Sequence, residues 1–355
     1  MRKIDTVLLA TVVLLTFFGL LMIYDASSFI AFRDFSDKYH YIKDQFRWAT
    51  LGFLGLLFFS FFDYHKLYNL SLPILVAALV LLILVFVPGI GVFVLGARRW
   101  INTGFFVVQP AEFVKLALAI YLSAWFSKKE KGRLLAFLLL LGVVVALIML
   151  EPDMGTAAIV LFEALVAYFL SGGNILSFIF LLPVVGALGF LLIKVEPYRL
   201  ERLMAFLRPI DAFSSSYHVK QILIAFGMGG ITGVGLGNSL QKFAYLPENT
   251  TDSIFAIIAE ELGFIGASVL IIAYITLCWR GFLIAAKARD MFGKLLAGTI
   301  TSFLAIQMII NLSSQTVLIP LTGVPLPFIS YGGSSLVVDL CAVGIVLNIA
   351  KQGNA

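Results

Sequence analysis

Charge is scarce in this 355-residue chain. Asp, Glu, Lys and Arg make up 13% of it, against 61% hydrophobic residues and a mean hydropathy of +1.03. A soluble domain carries about a quarter of its residues as charges. So much apolar surface cannot be hidden inside one water-facing globule of this length, so lipid is the solvent for most of the chain. Cysteine is nearly absent as well. Cys278 and Cys341 fall at or within apolar runs, which leaves no disulfide framework. The three histidines, His40, His65 and His218, lie on scattered segments without metal-ligand spacing. No serine stands in a nucleophile elbow. Gly233, Gly235 and Gly237 lack the preceding strand and βαβ unit of a dinucleotide loop. No internal repeat, heptad run or soluble domain is visible.

What recurs instead is long apolar runs. A bilayer core about 30 Å thick needs roughly 20 apolar residues per spanning helix. Such runs cover Ile4 to Tyr24, Phe46 to Phe62, Leu67 to Val87, Pro110 to Phe126 and Leu134 to Leu150. They continue over Thr156 to Leu170, Ile175 to Ile193, Ser253 to Trp279, Leu295 to Ile319 and Ser335 to Ile349. The expected fold class is an all-α polytopic membrane protein of about ten transmembrane helices, built as a single integral membrane domain over 1–355. The first run follows Arg2 and Lys3 but is longer than a signal-peptide core and lacks a cleavage site, so it is expected to remain as the first span.

Charge placement orients the bundle. With a cytoplasmic N-terminus, the inner segments hold Arg2, Lys3, Lys66, Lys128, Lys129, Lys131, Arg133, Arg280, Lys287, Arg289, Lys294 and Lys351. The short outer loops hold chiefly Arg33, Lys38, Lys43, Arg47, Arg98 and Arg99. The positive-inside rule then places both termini in the cytoplasm. The pI of about 9.1 is a topology signal and does not point to nucleic acid. The longest polar stretch, 194–251 between spans 7 and 8, is expected to be a large extracytoplasmic loop. It carries the basic residues Arg199, Arg202 and Arg208, an apolar stretch over Val219 to Phe226 suited to the interface, and a glycine-dense run expected to wall a cavity.

Ionisable residues in or beside spans each need a physical reason. Glu112 and Lys115 are three apart and can pair on one helix face, as a structural ion pair or facing substrate. Arg98, Arg99 and Trp100 would suit a phosphate at headgroup level, and interfacial anchoring also explains Trp100. Asp153, in the turn Glu151-Pro152-Asp153, either caps the next helix or takes part in chemistry. Glu163 is mid-span without a local partner, and Glu260, Glu261 and Asp339 also fall in spans. Asp252 opens a long apolar helix after a polar loop that includes Lys242. Asp252 or Thr251 can serve as N-cap, while a partly desolvated carboxylate beside cationic groups is how a general base is held ready at neutral pH. Pro325 to Ser335 holds too many helix breakers for a span and reads as a re-entrant outer loop facing the same cavity.

Five blocks in order resemble the SEDS family (shape, elongation, division and sporulation), which includes FtsW, RodA and SpoVE. They are GARRWIN at Gly96 to Asn102, QPAEFVK at Gln109 to Lys115, EPDMGT at Glu151 to Thr156, the run from Gly233 to Gly266, and PLTGVPLPFISYGGSS at Pro320 to Ser335. The resemblance covers essentially the whole chain. It implies a peptidoglycan glycosyltransferase that polymerises lipid II on the outer face of the bacterial cytoplasmic membrane, at the septum. The implied partners are a class B penicillin-binding protein and other divisome or elongasome membrane proteins. It implies Asp252 as the catalytic residue, with Lys242, Glu112, Lys115, Arg98, Trp100, Asp153 and Ser330 carried over beside it. The direct join of GVGLGNS to QKF, and MIYDASS at the end of the first span, lean to the division or sporulation branch. Thr250, Ser253, Glu151 and Asp339 depart from the family pattern, the first two beside the implied base.

The expected chemistry is attack by an acceptor sugar hydroxyl, deprotonated by Asp252, that displaces undecaprenyl pyrophosphate. Arg98, Arg99, Lys242 and Arg202, or a divalent cation such as Mg or Mn, would meet the charge on the leaving phosphates. Two other classes stay open on the sequence. Glu163 and Asp339 would suit a flippase for lipid-linked precursors, and an inactive scaffold would only recruit a penicillin-binding protein.

Overall fold

A computed structural model describes residues 4–94, 96–128, 132–173, 186, 189, 197–207, 214–243 and 245–353. Most of the expected span Ile175 to Ile193 lies outside the described residues, as do Arg2, Lys3, Lys129, Lys131 and Arg208. Among the described residues, eleven helices follow in order: α1 (Thr6–Phe35), α2 (His40–Phe61), α3 (His65–Leu84), α4 (Pro110–Phe126), α5 (Leu134–Leu150), α6 (Met154–Leu170), α7 (Pro197–Leu207), α8 (Ser214–Gly229), α9 (Ile254–Lys287), α10 (Met291–Gln315) and α11 (Gly333–Gly353). Of these, α1, α3, α9, α10 and α11 are long and apolar enough to cross a bilayer, and α5 and α6 are shorter apolar helices. Short polar side chains start several of them. Asp5, Asp153 and Asp290 each accept a hydrogen bond from a first-turn backbone N–H of α1, α6 and α10.

Polarity is arranged inside out relative to a soluble bundle. In α10 and α11, 72% and 83% of the most apolar window is buried, whereas in α1, α3 and α9 the share is 39%, 28% and 28%. The outer helices turn Leu14, Phe17, Val76, Val80, Val269 and Ile272 outward, as lipid contact requires. At the centre, α10 packs on α4, α6, α9 and α11 through small or polar residues such as Gly298, Thr299, Thr301 and Ser302. Among the described residues, the most extensive helix pairing is α2 on α11. A Cβ at Gly344 would overlap the Leu56 backbone, and one at Gly52 would overlap the Leu340 side chain.

Two irregular segments depart from the sequence reading. GARRWIN lies largely within a small antiparallel sheet of β1 (Gly91–Val94), β2 (Ala97–Asn102) and β3 (Val107–Val108), which pairs Gly91 with Ile101 and Asn102 with Val107. Twelve residues of strand, split into runs of four, six and two, are too few for period-two alternation to show in the sequence. The glycine-dense run does not wall the cavity described below. It docks into a break in α9, where Gly263 is non-helical (φ 65°, ψ −167°). The backbone N–H groups of Val234 and Gly235 donate to the carbonyls of Glu260 and Glu261 (3.0 Å each), and Phe264 N–H donates to Gly230 (2.9 Å). A Cβ at Gly233 would strike the Glu261 backbone, so only glycine permits this approach. Non-helical backbone at this depth persists because protein satisfies it.

Candidate active site

Asp252 is delivered by a loop pinned at both ends. Upstream, the backbone N–H groups of Ser239 and Leu240 donate to the buried carboxylates of Glu261 and Glu260 (3.1 Å each), and the Ser239 hydroxyl donates to Glu260. Lys242 Nζ binds both Asp25 oxygens (2.9 and 3.1 Å) and Glu261 Oε1 (3.0 Å). Burial alone would lower this ammonium's pKa, but the hydrogen bonds it donates to Asp25 and Glu261 outweigh it and hold Lys242 above the ordinary lysine value. Downstream, Asn311 of α10 donates from one Nδ2 to the carbonyls of Asp252 (2.9 Å) and Val324 (2.7 Å). Tyr331 N–H donates to the Thr250 carbonyl (2.8 Å). The Asp252 loop and the 320–332 loop are thereby locked together on the central helix.

The capping alternative is answered by geometry. The N-cap position of α9 is Ser253, and its side chain makes no capping bond. The Ser253 hydroxyl pairs instead with His218 Nε2 of α8 (2.7 Å). Burial and then Arg202 push His218 down to about 4, so its ring is neutral at physiological pH. Thr251 is spent on Glu248 Oε2 (2.8 Å), with a longer contact to Asp252 Oδ1 (3.3 Å). That leaves the Asp252 carboxylate facing a cavity with one weak side-chain partner. Its pKa is pushed up to about 7, first by burial, then by the Glu248 carboxylate, against the opposing pull of Arg202.

The cavity has a volume of ≈ 530 Å³ and opens between β2, α2, the Asp252 loop and the segment leading into α11. Aromatic rings form one side: Trp48, Trp100, Phe105, Phe106 and Tyr331. Trp48 and Phe106 touch at 4.7 Å between ring centroids, and the Tyr331 hydroxyl donates to Asp44 (2.8 Å). Burial and then Asp44 raise the Tyr331 pKa, so it stays a donor. Arg99, Arg202, Glu248 and Asp252 line the cavity too. Arg99 also clamps the carbonyls of Glu151 (2.9 Å) and Pro152 (2.5 Å), and Arg202 holds that of Leu321 (3.2 Å).

Of the residues singled out in the sequence, Asp252, Arg99, Trp100 and Arg202 meet in this cavity. The others lie elsewhere. Arg98 is exposed and reaches the Phe86 carbonyl (3.5 Å). Asp153 caps α6 and accepts from Gln109 (3.1 Å). Glu112 and Lys115 form a fully buried pair (2.7 Å), and Lys115 also donates to Gln307 (2.6 Å). Gln307 in turn reaches Pro325 (3.1 Å) and Ser335 (3.3 Å), so this pair supports the loop under the cavity without lining it. The Ser330 hydroxyl accepts from Leu326 N–H (2.8 Å) and fixes the turn of the same loop. Lys242 sits between the carboxylates of Asp25 and Glu261. Beside the Arg99 clamp, Glu151 is buried with no hydrogen bond to either carboxyl oxygen. Burial, then Asp153, pushes it up to about 9 against Arg99, so it is a neutral acid at physiological pH.

Sequence reasoning missed Asp44, Trp48, Phe106, Glu248 and Tyr331. Trp48 and Tyr331 sit near span ends, where interfacial anchoring hides any second role. Among the described residues, no group of three or more His, Cys, Asp or Glu side chains is placed to hold a metal ion.

The chain matches the family of cell cycle proteins that comprises FtsW, RodA and SpoVE over residues 5–355. Stage V sporulation protein E of Bacillus subtilis (strain 168) is 41% identical over 355 residues, covering 98% of this chain and 97% of its own. A probable peptidoglycan glycosyltransferase FtsW of Geobacter sp. (strain M18) is 38% identical, with 99% of each chain covered. Among solved structures, one chain from work on the coordination of polymerization and crosslinking by a peptidoglycan synthase complex superposes with a TM-score of 0.80 at 28% identity over 99% of both chains. The rod shape determining protein RodA of Thermus thermophilus superposes with a TM-score of 0.72 at 27% identity, covering 99% of this chain and 98% of its own. This chain therefore belongs to the FtsW, RodA and SpoVE family and is a multi-pass helical membrane protein.

Proposed function

We propose that this chain is a peptidoglycan glycosyltransferase that polymerises lipid II at the outer face of the bacterial cytoplasmic membrane, both termini inside, beside a class B penicillin-binding protein during division. The relatives' names and the peptidoglycan synthase complex support the activity and the kind of partner. The observation that carries the site is Asp252: a carboxylate free of capping duty, facing an aromatic and cationic cavity, with a pKa pushed up to about 7.

That pKa suits a general base working near neutral pH. Asp252 takes the proton of the acceptor sugar hydroxyl as its oxygen bonds to the anomeric carbon of the donor. The bond from that carbon to the diphosphate breaks, and the electron pair leaves with the isoprenoid diphosphate. Arg99 and Arg202, already fixed by backbone carbonyls, meet the charge that grows there. The flippase reading drew on Glu163 and Asp339. Both are fully buried and do not line this cavity, so the geometry favours catalysis over translocation.

The test is purified protein with its penicillin-binding partner, given labelled lipid II, as wild type and as Asp252→Ala. Glycan strands from the wild type and none from the variant are expected. Equal polymer from both would remove Asp252 as base, and lipid translocation without polymer from either would favour the flippase.

A further inference from the structure

A second cavity of ≈ 270 Å³ adjoins the first, and the two share Arg99, Arg202 and Gly323. Their walls differ in kind. The first is aromatic and carries the carboxylates of Asp44, Glu248 and Asp252. The second is walled by aliphatic side chains, Met154 and Ala158 of α6, Leu203 of α7, and Ile319 and Leu321, with the Arg199 side chain added to the shared pair. Its one carboxylate, Asp153, is already engaged by Thr156 (3.0 and 2.8 Å) and Gln109 (3.1 Å). Leu207 of α7 and Leu318, next to Ile319, are exposed as well.

Gly323 stands at the junction. A Cβ built on it would lie 3.8 Å from the Arg202 guanidinium and 3.9 Å from Asp252 Oδ2, in the space between the two. Its left-handed backbone (φ 73°) keeps that space free of a side chain. The Asp252 carboxylate thus looks through a gap at the cationic, aliphatic side.

We infer that the second cavity is a subsite for an isoprenoid diphosphate, with the diphosphate at Arg99 and Arg202 and the first isoprene units against Leu203, Ile319 and Leu321, while the aromatic cavity takes saccharide. The inference rests on the glycosyl-transfer reading above and adds the side of Asp252 on which each half of the substrate lies. Charge decides the assignment. A diphosphate in the aromatic cavity would lie among the carboxylates of Asp44, Glu248 and Asp252, whereas on the second side of the shared Arg99 and Arg202 it meets Arg199 as well, and the one carboxylate of that wall, Asp153, is already engaged. Sugar rings suit the other side, where aromatic faces alternate with acceptors such as Asp44 and Glu248.

The experiment uses the full chain in nanodiscs and a farnesyl diphosphate bearing a diazirine on its isoprenoid. Cross-links are expected in peptides of α6 and α7 around Met154, Ala158 and Leu203. Ala158→Trp and, separately, Leu203→Trp each fill the cavity and should lower the yield about tenfold or more, a loss of about 1.4 kcal/mol in affinity. Trp48→Ala, on the saccharide side, and Asp252→Asn should keep it. Undecaprenyl diphosphate should chase the label where the same concentration of inorganic pyrophosphate does not. Chase by pyrophosphate alone would reduce the site to a phosphate site and overturn the isoprenoid half. Cross-links at Trp48 or Phe106, or a yield indifferent to both tryptophan variants in folded protein, would overturn the whole. Should Asp252→Asn polymerise lipid II like wild type, the catalytic reading fails while the labelling pattern still decides this one.

Discussion

Around Lys115, buried charge is spent on architecture. Lys115 is fully enclosed, pairs with Glu112 and donates to Gln307, which holds the floor of the outer loop. Around Asp252, charge is withheld. Its carboxylate has one long contact from Thr251, while its backbone carbonyl takes the strong bond from Asn311. Lys242 belongs with the first kind, since Asp25 and Glu261 saturate it. The contrast separates residues that look alike in sequence: each is an ionisable group at a span boundary, and what divides them is whether neighbouring chain has claimed their hydrogen-bonding capacity. An unclaimed carboxylate beside a cavity is available to substrate. A claimed one is part of the frame.

The contrast can be broken or sharpened by substitution, from the largest expected effect downward. Asp252→Asn should reduce lipid II polymerisation by about 10²–10⁴-fold, the usual worth of a general base, while leaving thermal unfolding in detergent near wild type. A large loss of stability would place Asp252 with the frame. Lys115→Met should do the reverse, destabilising by about 3–5 kcal/mol because it leaves Glu112 as an uncompensated buried charge. Adding Glu112→Leu should recover most of that unfolding midpoint. If Lys115→Met folds normally and only loses activity, the pair is catalytic after all.

The pH profile of polymerisation offers a finer test. The base acts ionised, so the rate should climb about tenfold per pH unit below a pKa of about 7 and level off above it. Glu248→Gln removes a carboxylate that raises this pKa and should move the acidic limb to lower pH. Arg202→Gln removes a cation that lowers it and should move the limb to higher pH. Limbs that stay fixed in both variants would mean that another group sets the profile. The smallest effect is expected of Thr251→Ala, which loses a long hydrogen bond to Asp252. It should cost about 0.5–1.5 kcal/mol at most in kcat/KM, read in the same assay.

The membrane class and most helix positions were legible because lipid imposes a length and a polarity that repeat along the chain. Helix ends were less so. The first span, read as Ile4 to Tyr24, continues as α1 to Phe35, since a helix leaving the bilayer keeps its backbone bonds while its side chains turn polar. Asp252 was legible as a carboxylate at a loop-to-helix junction, and Arg99, Trp100 and Arg202 as polar and aromatic groups on the outer side. The sequence reads Lys242 with them, and in space it lies outside the cavity lining, held by carboxylates. One of its partners, Asp25, is 217 residues away in sequence, and no local pattern announces it. The aromatic wall was hidden for a related reason. Trp48, Phe106 and Tyr331 come from three distant segments, and each alone has an ordinary interfacial explanation.

The pairing of α2 with α11 bears on how such a molecule is made. Gln45 of α2 receives Gly332 N–H (3.2 Å) and donates to the Ser330 carbonyl (3.4 Å), while Asn348 of α11 bridges Ser60 (2.9 Å) and the Tyr64 backbone (3.1 Å). During synthesis α2 enters the membrane early, and until α11 arrives its glycine face and these polar groups have no partner in the chain. Trp48 likewise waits for Gly333. The saccharide side of the cavity therefore comes into being only when nearly the whole polypeptide has left the ribosome. A nascent chain stalled before α11 would present an inserted, partly packed bundle with its polar seam open.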